Sequence, residues 1–224
     1  MGVFLFTALG LWQLDRAEQK RVLLAEHLER TSSAPMRIDE NWVDTADLQY
    51  HPITAEGAYL SAYTAFLDNR VQEGRVGYQV LTAFELAADL WLWVDRGWVR
   101  ADIDQSILPQ VAVSGELTEL KGTAYRPLGP GLALGQTGEH QRWPQRIQHL
   151  DLPWLESVSG VSALPFVLRL GPQQADGFVR QWSTISMVPE KHTAYAIQWF
   201  LFGLIALVIY LRVSFRKVAG PNND

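Results

Sequence analysis

The search for chemistry in this chain begins with histidine, because no cysteine is present to serve as nucleophile, disulfide partner or soft metal ligand. The five histidines, His27, His51, His140, His149 and His192, fall at none of the HxH, HxxxH or HExxH spacings that set two imidazoles side by side. No local metal site is signalled. Copper(I) delivery is disfavoured as well, since it draws on Cys or clustered Met and the chain has three scattered Met. A GxSxG elbow, a GxGxxG turn and a phosphate loop are all missing, and no carboxylate pair stands apart from ordinary surface acids. An enzyme is not expected. What remains is His192 just ahead of a long apolar run, Arg16 and Lys20 just behind a shorter one, and Asp95 with Arg96 at the end of the apolar stretch LWLWV. The last two read as a satisfied strand-end ion pair, and Trp91, Trp93 and Trp98 read as core.

These residues are positioned by two uncharged blocks that bracket the chain. From Tyr195 to Val213 the sequence YAIQWFLFGLIALVIYLRV is apolar all round and about 20 residues long, the length that crosses a ~30 Å hydrocarbon core as a helix. Tyr195, Trp199 and Tyr210 lie near its ends, where aromatic rings favour the headgroup level. The first block, MGVFLFTALGLWQL, reaches only some 21 Å as a helix, which is too short to span, so the natural N-terminus is expected upstream of Met1. It has neither the basic start nor the small-residue cleavage site of a secretory signal, and it runs on into the helix-favouring DRAEQKRVLLAEHLER.

The resulting plan is a first transmembrane segment over 1–14, an extramembrane α+β domain over 15–191, a second transmembrane helix over 192–213 and a tail over 214–224. Arg212, Arg216 and Lys217 hold the tail in the cytoplasm, or the matrix, by the positive-inside rule. The acidic domain then faces the periplasm of a bacterium, with the mitochondrial intermembrane space as the lesser alternative. A net charge of −5, from 19 Lys and Arg against 24 Asp and Glu, argues against nucleic acid as a partner.

Within the domain, short apolar runs separated by turn residues predict a mainly antiparallel sheet. ITAEGAYL alternates, and YTAFLDNRV, the turn QEGR and VGYQVLTAFEL read as a hairpin that continues through AAD into LWLWVDRGWV. Leu90 to Val94 is apolar on both faces and predicts a central strand covered on both sides. VAVSGELTEL predicts a half-buried strand, RPLGPGLALGQTG over 126–138 a long exposed loop, and Asp151 to Ser159 a short helix between Pro153 and Gly160. PFVLRLG and FVRQWSTIS read as late strands.

Taken together, LGLWQLDRAEQK at the start, GYQVLTAF and VDRGWV in the domain and HTAYAIQWF at the last helix resemble the Surfeit locus protein 1 family, in that family's order and over nearly the whole chain. Gly10, Trp12, Gln13, Arg16 and Lys20 match the first motif, Arg96, Gly97 and Trp98 the second, and His192, Tyr195, Ala196, Trp199 and Phe200 the third. Asp95 stands where the family often has Asn, and Glu190 and Lys191 stand where it has Asn ahead of the histidine. The resemblance implies an inner-membrane assembly factor for haem-copper cytochrome c oxidase. Its partners would be subunit I, haem a synthase and the lipid bilayer, and its cofactor a transiently held haem a. Helical spacing places Leu9, Trp12, Arg16 and Lys20 on one stripe and His192, Tyr195 and Trp199 on another, both at the outer leaflet. In haem terms His192 would ligate iron and Arg16 or Lys20 would pair with propionates, with Tyr195 and Trp199 as further cofactor-binding residues. The alternatives are that Arg16 and Lys20 reach to lipid headgroups, that His192 is an interfacial helix-start residue, and that the protein is a cofactor-free scaffold for oxidase subunits.

Overall fold

The computed structural model describes residues 2–42, 47–104, 107–127, 142–175, 178–182 and 189–218. The chain folds into two compact units, one of residues 29–182 and one of residues 1–28 with 183–224. The architecture is α+β, with a seven-stranded mixed sheet and three helices among the described residues.

In the larger unit the strands are β1 (Met36–Ile38), β2 (Pro52–Gln72), β3 (Arg75–Ala87), β4 (Leu90–Arg100), β5 (Thr118–Tyr125), β6 (Gln145–Ile147) and β7 (Ser162–Leu170), with helix α2 (Leu152–Ser159) ahead of the last. The ladder runs β2–β3–β4–β7–β5 and returns to β2, so five strands close on one another and leave few free edges. Four of the pairings are antiparallel, and β1–β2, β2–β6 and β4–β7 are parallel. The parallel β4–β7 pair arises because β7 follows a long excursion through β5, β6 and α2 rather than a tight turn.

ITAEGAYL and YTAFLDNRV are one strand, not two. β2 runs 21 residues and absorbs the Ser61-Ala62-Tyr63 stretch as a register shift between Leu60 and Thr64. The QEGR turn forms as read, with Glu73 and Gly74 both at positive φ, the two-residue arrangement that matches strand twist. β4 is covered on both faces. Leu92 and Val94 join Ile53, Phe84, Phe166 and Leu168 in one core cluster, while Trp91 and Trp93 join Leu81, Ile147, Leu155 and Val167 in the other.

VAVSGELTEL is largely not a strand, since β5 begins only at Thr118 and the residues before it are irregular. α2 forms where expected. Asp151 caps it by accepting from the Trp154 backbone N–H, and Gly160 ends it in the left-handed conformation. Of FVRQWSTIS, Val179 makes a single bridge to Trp98, and 183–186 lie outside the described residues. The loop expected over 126–138 lies outside them from residue 128 onward.

The smaller unit consists of α1 (Gly2–Thr31) and α3 (Pro189–Val218), each 30 residues long. α1 is continuous through the change from apolar to charged sequence, and it stops where Ser32 and Ser33 bond back to Glu29 and Arg30 carbonyls ahead of Pro35. Among the described residues α3 alone is long and apolar enough to cross a membrane. The first segment expected over 1–14 forms the start of α1, and its apolar part, which ends where charge enters at Asp15, is shorter than a span.

Candidate functional site

The two helices of the smaller unit pack antiparallel, and small residues set their approach. Gly10 lies directly under the Phe200 ring, so close that a Cβ there would fall 2.5 Å from it. Ala17 and Ala196 are fully buried, and Gly203 faces Phe6 and Val3. Phe6 stacks on Trp199 at 5.9 Å between centroids and meets Phe202 edge-on at 6.0 Å. The buried face of α1 therefore passes through Val3, Phe6, Gly10, Gln13 and Ala17, a seven-residue repeat beside the stripe read from Trp12 and Arg16.

His192 occupies the first turn of α3, as Pro189 at the helix start predicts. It is half-buried, and its Nδ1 lies 2.8 Å from Oε1 of Gln13. About two turns further along α1, Arg21 donates to Thr193 Oγ1 at 3.3 Å. Trp199 shares the inward stripe with His192 and is engaged by Phe6, while Tyr195 is exposed. Arg16 is exposed as well. Its guanidinium sits 5.6 Å over the exposed Trp12 ring and donates to Gln19. The predicted residues thus divide into an inward pair, His192 and Trp199, and an outward pair, Arg16 and Tyr195.

Sequence reasoning placed Gln13 in a motif without giving it a partner. The available signal was a lone carboxamide in an uncharged helical run, a group that needs a hydrogen bond when it leaves water. Among the described residues nothing bonds Nε2 of His192, which leaves one imidazole nitrogen for a ligand. An imidazole nitrogen and an exposed guanidinium are donor types that suit an iron porphyrin with acidic side chains. Among the described residues no group of three or more His, Cys, Asp or Glu is placed to hold a bare metal ion.

The second motif lies in the larger unit and is built differently. Asp95 and Arg96 are not a strand-end ion pair: both are buried within β4, at 5% and 1% exposure. The register with β3 moves from Leu81↔Asp95 to Val80↔Gly97, so Arg96 is the extra residue of a bulge. Its guanidinium donates to the Ala112 carbonyl at 3.0 Å and lies over the rings of Phe178 at 4.8 Å and Tyr59 at 5.3 Å. Asp95 turns the other way and accepts from Gln79 at 2.8 Å and from the Gly97 backbone. Burial pushes its carboxyl up to about 6 against the lowering effect of those bonds and of Arg169.

Gly97, at φ +116, is required where it stands, because a Cβ would meet the Val179 carbonyl at 2.8 Å. Trp98 and Val179 exchange both backbone hydrogen bonds, and Arg180 donates to the carbonyls of Arg96, Gly171 and Gln174. The RGW motif is therefore a clamp on the strap of residues 178–180.

The chain matches the SURF1 family over residues 1–204. It is 29% identical over 218 residues to a SURF1-like protein of Rickettsia felis, covering 91% of this chain and 89% of that one. An uncharacterized SURF1-like protein of Mycobacterium tuberculosis is 24% identical over 206 residues, with 90% and 74% covered. A SURF1-like protein of Drosophila melanogaster is 22% identical over 232 residues, with 94% and 74% covered. With a helix pair carrying the first and third motifs, a sheet domain carrying the second and a family match spanning nine-tenths of its length, the chain belongs to the SURF1 family.

Proposed function

We propose that this protein is a membrane-anchored assembly factor for haem-copper cytochrome c oxidase, and that its helix pair holds haem a on the way into subunit I. The observation that carries the reading is the half-buried His192, held through Nδ1 by Gln13 with Nε2 unbonded among the described residues. An imidazole nitrogen with an unshared lone pair is an axial ligand for iron, and the bound haem would supply no chemistry beyond its own transfer. Arg16 stands exposed to pair with propionates, and Tyr195 offers an exposed ring and hydroxyl. Trp199 supports the site from within, through Phe6. No catalytic step is part of the proposal.

The placement proposed is the inner membrane of a bacterium, with α3 crossing it and the sheet domain in the periplasm. The basic residues that follow the apolar run, Arg212, Arg216 and Lys217, favour a cytoplasmic tail. Haem a synthase is the natural donor and subunit I the acceptor.

A cofactor-free scaffold is the second reading. It is favoured by apolar side chains standing in water on the larger unit, Ile103 at 99% exposure and Leu117 at 72%. Coexpression with haem a synthase, purification and a visible spectrum separate the two. The haem reading expects a haem band that copurifies with the wild type and is lost from His192→Ala at unchanged membrane abundance. Haem-free protein that still captures subunit I gives the scaffold reading instead.

A further inference from the structure

Gln13 approaches His192 through its carboxamide oxygen, at 2.8 Å from Nδ1. A carboxamide oxygen accepts and never donates, so the proton of that bond belongs to Nδ1. A neutral imidazole has one N–H, and with the proton on Nδ1 the ring's lone pair is on Nε2. We propose that Gln13 is the positioning residue of the haem site, holding His192 in the Nδ1–H tautomer so that Nε2 is the nitrogen offered to iron. The inference rests on the haem reading given above.

The surrounding contacts fix the register on which this bond depends. Gly10 under Phe200 lies on one side of it along the helices, and Arg21 with Thr193 on the other. Sliding one helix by a turn would break all three. The bond also has little competition, because an amide drawn into a half-buried, apolar helix interface loses more by going unpaired than an exposed one does. Acceptors on the second nitrogen of an iron-binding imidazole orient the ring and raise its basicity, and losing one costs about 10-fold to 100-fold in affinity. Turning the amide so that its NH2 donates to Nδ1 would give the opposite result, with the proton on Nε2 and that nitrogen closed to iron.

Ring-nitrogen NMR of the full chain in lipid nanodiscs, labelled with 15N-histidine and free of haem, reads the tautomer directly. His192 is identified as the signal missing from His192→Ala. The wild type is expected as Nδ1–H, Gln13→Glu likewise, and Gln13→Leu as the Nε2–H form that unbonded imidazole prefers. An Nε2–H wild type, or a tautomer unmoved by Gln13→Leu, overturns the inference, and the wild-type spectrum alone suffices should the variant fail to fold. Titration with haem a is the second arm: Gln13→Leu should bind at least about 10-fold more weakly than Gln13→Glu, and equal affinities overturn the positioning role. Haem retained by His192→Ala would instead overturn the haem reading itself, and the ligand half of this inference with it.

Discussion

The sheet domain encloses Asp95 and Arg96 and occupies their polar atoms with the chain's own groups, whereas the helix pair leaves His192 half-buried with one ring nitrogen bonded. The difference separates two uses of buried polarity. In β4 the guanidinium holds the segment around Ala112 and packs on Phe178 of the strap, while the carboxylate accepts from Gln79 and the Gly97 backbone, so both serve a structural task. At the first turn of α3 a single bond orients an imidazole, and among the described residues nothing bonds its second nitrogen.

The comparison breaks most visibly at Arg96. Replacing it with Ala removes the bond to Ala112 and two ring contacts and leaves a large cavity, so the domain should lose about 3–5 kcal/mol. Denaturant unfolding of the full chain, followed by near-ultraviolet circular dichroism, measures this. A loss below about 1 kcal/mol would mean that Arg96 is not the anchor described.

A somewhat smaller effect belongs to Asp95. Its folded-state value of about 6 lies above the ordinary 3.8, so the folded domain takes up a proton that the unfolded chain has already released. Stability is therefore highest below this window, falls as pH rises from 3.8 towards 6 and levels off beyond, by roughly 3 kcal/mol in all. Asp95→Asn keeps Oδ1 as acceptor for Gln79 and Gly97 and should flatten that decline, leaving the variant the more stable protein at pH 7. Melting temperatures from pH 4 to 8 test it, and parallel curves for the two proteins would refute it.

In the helix pair the smallest effect is also the sharpest geometrical one. A Cβ on Gly203 would lie 3.5 Å from that of Phe6, within disulfide range, and the chain carries no cysteine of its own. The Phe6→Cys, Gly203→Cys protein should form one intramolecular disulfide, seen as a mobility shift on a non-reducing gel. Adding Gly10→Leu, which drives a side chain into the Phe200 ring, should weaken the pairing by about 1–3 kcal/mol and lower the yield. A yield insensitive to position 10 would place the Gly10 face elsewhere.

Local chemistry made part of this molecule legible in the sequence. Pro153 and Gly160 bounded α2, QEGR gave the β2–β3 turn, and the unbroken apolar run Leu90–Val94 gave the strand covered on both faces. Features set by pairing across the fold were not legible. The bulges that keep β2 in one piece, the one that turns Arg96 inward and the late start of β5 at Thr118 depend on neighbours distant in sequence. The same holds at the site. His192 could be placed in a first helical turn from Pro189, but which α1 residue faces it depends on the fit of Gly10 to Phe200, and a shift of one residue would have exchanged Gln13 for a neighbour.

The central claim is that His192 carries haem, and rescue of a cavity variant tests it most directly. His192→Gly, coexpressed with haem a synthase and purified beside the wild type, leaves room for a free imidazole where the ring stood. The account predicts a haem-to-protein ratio that collapses in the variant, at unchanged membrane abundance, and recovers when imidazole is added. A ratio equal to wild type without imidazole would contradict it.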